Sequence, residues 1–190
     1  MINLNKLPQN VALFMPLHQQ AIVKDPECCD EHKSTIDMLD KEIEEIPKES
    51  QSFTGEQIAE RGSYYDCLVV YAHFFYAGCD WFILNWDREN EIVYCYAILN
   101  GDTQMSELGT TYLSDLTGHG RIELDFYWSQ CSLAQALYDK YPEDFAEPHI
   151  SKQIPKKKKD WRAKIVLKYQ LNNKRKHGKR TTKRRYRNSK

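Results

Sequence analysis

The chain has 190 residues, 41% hydrophobic and 28% charged, enough for one domain with a sizeable core plus extensions. It has no run of about 18 apolar residues, and residues 1–10 lack the basic start and apolar stretch of a secretory leader, so neither a membrane span nor export is expected; the expected location is cytoplasmic. The net charge of zero hides a division: residues 1–151 carry 26 acidic and 9 basic side chains, whereas residues 152–190 carry 18 basic ones and a single acid, Asp160. Separation on that scale points to a polyanionic or otherwise charged partner.

In chain order, residues 11–17 form an apolar patch expected to pack on the domain. Cys28-Cys29-Asp30-Glu31-His32 puts metal-ligand types in a row, but zinc needs four at matched spacing and no second pair follows. A polar loop is the plainer reading, and no metal or other cofactor is expected. Cys67, Cys79 and Cys95 lie in or beside apolar runs and read as buried free thiols of a reducing compartment. A helix is predicted next, capped by Ser34, with Ile36, Leu39, Ile43 and Ile46 at helical spacing and Pro47 as its stop. Asp37, Asp40, Lys41, Glu42, Glu44 and Glu45 fall on its other, solvated face. Thr54-Gly55-Glu56-Gln57 reads as a capping box opening a short helix that ends near Gly62.

The centre reads as sheet. Residues 67–76 (CLVVYAHFFY) predict one long strand, Gly78 a turn, residues 81–86 (WFILNW) a second strand and residues 92–99 (IVYCYAIL) a third. Asp87-Arg88-Glu89-Asn90 and Asn100-Gly101 are turn sequences, the second tolerant of positive φ at both residues. Short connections imply antiparallel neighbours, and runs apolar on both faces imply helices on both sides. Residues 110–116 should enter a helical turn at Ser114. Residues 121–128 alternate as a half-buried strand, with Ile122, Leu124 and Phe126 inward and Glu123 and Asp125 outward. Ser132 caps a last helix that runs to Tyr141 and stops at Pro142. The expected fold is α+β: a small, mostly antiparallel sheet covered by helices, followed by a basic C-terminal arm. The expected division is a helical extension over 1–62, a core domain over 63–147, a hinge and added edge strand over 148–172, and a tail over 173–190.

The arm is the candidate nucleic-acid-binding segment. Pro155 with Lys156, Lys157, Lys158 and Lys159 forms a solvated hinge. Residues 161–172 then alternate, with Trp161, Ala163, Ile165, Leu167, Tyr169 and Leu171 on one side and Arg162, Lys164 and Lys168 on the other. That is the pattern of an edge strand with a basic outer face. Beyond it come Lys174, Arg175, Lys176, Lys179, Arg180 and Lys183, and then Arg184, Arg185 and Arg187 around Tyr186. With almost nothing apolar to bury, this tail is expected to be disordered alone. Each cation near a phosphate releases a counterion, so binding needs no fixed geometry, and Tyr186 can stack on exposed bases. The plainer alternatives are a solvated tail and a tail that lies on its own acidic domain.

A resemblance covers residues 66–137. Val70-Tyr71-Ala72-His73-Phe74-Phe75, Asp80-Trp81-Phe82, Glu107-Leu108-Gly109 leading to Tyr112-Leu113-Ser114-Asp115-Leu116, and Glu123-Leu124-Asp125-Phe126-Tyr127 follow one another in order. In this the chain resembles the domain-of-unknown-function family twenty-nine fifty-eight, short domains found on bacterial plasmids, phages and conjugative elements. It departs from that pattern at Ala77-Gly78-Cys79, which replaces a proline-bearing turn. The resemblance implies a compact α+β fold and a mobile-element setting, and it supplies no reaction or catalytic residue.

No phosphate loop, nucleophile elbow or HExxH occurs. An enzyme reading gathers Asp80, Asp87, Glu123 and Asp125 around a divalent metal, with His73 as base. The plainer readings are a turn residue for Asp87, a solvent face for Glu123 and Asp125, and a satisfied core histidine for His73. No catalytic residue is therefore assigned. The expected function is a non-enzymatic, nucleic-acid-associated accessory protein of a mobile element or phage, whose arm binds DNA or RNA and whose acidic domain meets an unidentified protein. Alternatives are an anti-defence inhibitor with a DNA-mimicking acidic surface, and a metal-dependent nuclease.

Overall fold

The computed structural model describes residues 7–24 and 29–149, the side chains of 29–32 excepted. All the lysines and arginines of the candidate arm, the hinge, the predicted strand over 161–172 and the tail lie outside the described residues, as do Cys28 and the side chains beside it.

Two short helices, α1 (Gln9–Phe14) and α2 (Leu17–Val23), lead to the sixteen-residue α3 (Cys29–Glu44). α3 begins before Ser34, so Ser34 is an interior residue and not the predicted cap. The predicted apolar stripe is buried as expected: Ile36, Leu39, Ile43 and Ile46 all face the core. α4 (Gly55–Arg61) opens with the complete Thr54–Gln57 capping box and closes on Gly62 at φ 106°, and α5 (Tyr64–Cys67) follows.

The five-stranded sheet has the order β5-β4-β3-β2-β6, every pair antiparallel. Its members are β2 (Ala72–Tyr76), β3 (Cys79–Asp87), β4 (Ile92–Leu99), β5 (Asp102–Tyr112) and β6 (Glu123–Leu124). β1 (Val69–Val70) pairs instead with β7 (Cys131–Ser132) in a separate two-stranded sheet. The last two helices among the described residues are α6 (Leu113–Gly118), which follows β5, and α7 (Leu133–Lys140), which follows β7.

Three strand expectations change. The single strand over 67–76 is a helical turn and two strands, because Val69–Val70 pair with Cys131–Ser132 whereas Ala72–Tyr76 pair with β3 and β6. The strand over 121–128 shrinks to Glu123–Leu124. Beyond Leu124, Asp125 accepts the Tyr127 N–H at 2.9 Å and the chain turns. β5 was not foreseen, because none of its residues is buried and it carries little apolar signal.

Alternation on the strands divides the core in two. Phe74, Ile83, Trp86, Val93, Cys95 and Leu124 face one way, against Phe14, Leu39, Ile43 and Leu116 of the α1, α3 and α6 layer. Phe82, Leu84, Tyr96 and Ile98 face the other, against Leu133, Ala136 and Leu137 of α7. Each such side chain contributes about 1.5–3 kcal/mol through area removed from water. Phe14 meets Trp86 edge-on at 4.8 Å, which anchors α1. Arg88 ties α3 to the sheet: its guanidinium donates to carbonyls at and just past the end of the helix, Ile43 O at 3.1 Å, Glu44 O at 3.2 Å and Ile46 O at 3.1 Å, while lying 4.5 Å over the Trp86 ring. Burial also explains the thiols. Cys95 is pushed up to about 12 by desolvation, so it behaves as a small hydrophobe.

Two side-chain amides stand in for missing strands. Gln19 donates to Leu124 O at 3.1 Å and accepts the Leu124 N–H at 2.8 Å, closing the outer side of β6. Gln51 does the same for Val69, accepting its N–H at 2.8 Å and donating to its carbonyl at 2.9 Å. Buried backbone polar groups without such partners would be costly.

Candidate functional site

Among the described residues, several ionisable side chains converge on the β2–β3 hairpin. Ala77 and Gly78, at φ 45° and 83°, make a two-residue turn that sets Tyr76 opposite Cys79. That register places Phe75 opposite Asp80 and His73 opposite Phe82, so all four project from one face and His73 is diagonal to Asp80. α7 crosses the same face. Its buried positions Leu133, Ala136 and Leu137 continue at helical spacing into Lys140 and Tyr141, which therefore arrive over the sheet at Asp80.

Asp80 is 1% exposed and receives three donors. His73 Nε2 at 2.8 Å and Lys140 Nζ at 2.5 Å share Oδ1, and the Tyr141 hydroxyl donates to Oδ2 at 2.5 Å. Burial alone would raise its carboxyl, but the bonds from His73, Lys140 and Tyr141 outweigh it and hold the group below the usual carboxylate range. Tyr141 is pushed up by burial and by its bond to Asp80, so it stays a donor. His73 is itself walled in, stacked 4.8 Å from Phe82 and 5.6 Å from Phe75, with Trp128 at 5.0 Å. Its other nitrogen lies 3.5 Å from Asp125 Oδ2. Trp128 donates to Val70 O at 3.2 Å, so the cluster also touches the small sheet.

Of the four carboxylates in the enzyme reading, Asp80 and Asp125 thus meet around His73. Asp87 does not join them. At the far end of β3 it accepts Asn90 Nδ2 at 2.7 Å and the Glu89 N–H at 3.1 Å, and the Asn90 bond leads in holding it below its ordinary value. Glu123 is exposed on β6. Among the described residues no group of three or more His, Cys, Asp and Glu side chains is arranged to hold a metal ion. Asp80 would have to give up Lys140 or His73 to ligate one.

Chemically, the arrangement is a staple. One buried carboxylate holds β2, β3 and the end of α7 together through three donors. Sequence reasoning placed His73 in the core but missed Lys140, Tyr141 and Trp128. The periodicity of α7 carries the signal for the first two, since 133, 136/137 and 140/141 share a helical face. Searches of family models, curated proteins and solved structures give no match to this chain.

Proposed function

We propose that the chain is a non-enzymatic accessory protein that holds DNA or RNA through its basic C-terminal segment, leaving its acidic body for a protein partner. The observation that carries this reading is the charge partition: 18 basic side chains and one acid over 152–190, against 26 acids and 9 basic side chains before them. Two further points support it. In the body's cluster around Asp80, three donors are turned onto one carboxylate, as in an internal brace. A negative body is repelled by a polyanion, so contact concentrates on the segment of opposite sign. The mobile-element or phage setting rests on the motifs over residues 66–137 alone.

Truncation after Asn172 removes ten lysines and arginines. The truncated chain should lose retention on DNA and RNA in low salt while keeping the circular dichroism of the full chain. Undiminished retention contradicts the proposal. A second reading, an acidic surface that occupies a basic DNA-binding protein, is favoured by α3. There Asp40 is raised by burial and then by the neighbouring charges of Glu44 and Asp37, a sign of densely set carboxylates. Competition by free DNA for a basic protein bound to this chain tests it; no competition contradicts it.

A further inference from the structure

Among the described residues, the backbone edges are treated unequally. The β6 edge is two residues long and closed by Gln19, and Val69 is closed by Gln51. β5, at the other side of the sheet, pairs among the described residues with β4 alone. Its register is unbroken from Glu107 to Tyr112. The irregularity lies nearer the hairpin end, where Asp102 accepts the N–H groups of Gln104 and Met105. Edges left open are normally guarded by lysine, proline or a cover. Residues 103–112 contain neither residue, and Glu107 is their one ionised side chain.

We propose that this edge is the contact between two copies of the chain, joined antiparallel through residues 107–112 into a continuous ten-stranded sheet. Three observations select a second copy as the occupant. The stretch is nearly uncharged on a body with a balance of −17 over residues 1–151, so it is where two acidic bodies approach at least cost. The stretch is self-complementary. A two-fold axis at Gly109 sets Glu107 opposite Thr111 and Leu108 opposite Thr110, and one at Thr110 sets Leu108 opposite Tyr112. Either register keeps the two Glu107 carboxylates apart and makes apolar or β-branched pairs. Finally, Tyr112 is a large exposed side chain at the end of this stretch, and Leu108 near its start is half-buried. Aromatic enrichment with charge depletion is the composition of interface centres. A dimer of this kind would carry two basic segments, giving bivalent attachment to one polymer.

Sedimentation equilibrium of the full chain, in salt high enough to release bound polyanion, should give twice the chain mass. Thr110→Lys, which sets like charges beside the axis, should give one chain mass with unchanged circular dichroism. A single-chain mass for the wild type at the highest soluble concentration overturns the proposal, as does a dimeric Thr110→Lys. If that variant fails to fold, amide exchange of the wild type decides. Protection rising with concentration at residues 107–112 supports the edge contact, and protection rising elsewhere or nowhere overturns it.

Discussion

Asp80 illustrates how a residue can look catalytic in a sequence and be structural in a fold. Removing one partner of a buried ion pair leaves the others uncompensated, so Asp80→Asn should lower stability by about 3 kcal/mol in urea titration. Lys140→Met takes the ammonium from a carboxylate that is 1% exposed and leaves it only the His73 and Tyr141 bonds, so this variant should lose about 1–3 kcal/mol. No loss in either variant would contradict the staple. The pH dependence has a definite sign. Asp80 is held below its unfolded value, so its stabilisation is complete above the ordinary carboxylate range near about pH 4 and is lost as pH falls through the folded value. Denaturation midpoints measured downward from neutral pH should fall in the wild type, with a shallower fall in Asp80→Asn. Gln19 is the other decisive residue. Replacing it by Leu strands the N–H and C=O of buried Leu124, for an expected loss of about 2 kcal/mol. His73 was legible as a core histidine because it sits in an apolar run. Asp80 and Asp125 were gathered with it only in the enzyme reading and together with Asp87 and Glu123, because the register that singles out the two true partners is not encoded locally.

At the scale of elements, local chemistry was most legible where it is self-contained. The Thr54 capping box, the Ser132 cap and the Asn100–Gly101 turn depend on neighbours a few residues apart, and each forms as read. Ser34 misled because a good capping residue also fits inside a helix whose start lies further back. The split of the 67–76 run and the presence of β5 depend on pairing between distant segments, which apolarity alone does not encode. Glycine positions give a graded test. Gly62 is at φ 106°, and a Cβ there would lie 2.6 Å from His149 Cβ, whereas Gly101, at φ 72°, has open space around it. Gly101→Ala should cost about 1 kcal/mol from backbone strain alone, and Gly62→Ala clearly more, by thermal or urea unfolding. A milder effect at Gly62 would mean that the 141–149 segment is not held against α4.

For the whole molecule, the two core layers follow from hydrophobic runs wide enough to need cover on both faces, and this much of the α+β architecture could be read in advance. The charge partition is a different kind of signal, independent of any fold, and the functional account depends on it. Binding of the full chain to a labelled duplex and to a single strand, followed across a salt series, tests it most directly. If about six to ten phosphates are engaged, affinity should fall about 10³–10⁵-fold between about 50 and 200 mM salt on either polymer. Affinity that is flat across that series, or absent at its lowest point, would contradict the account.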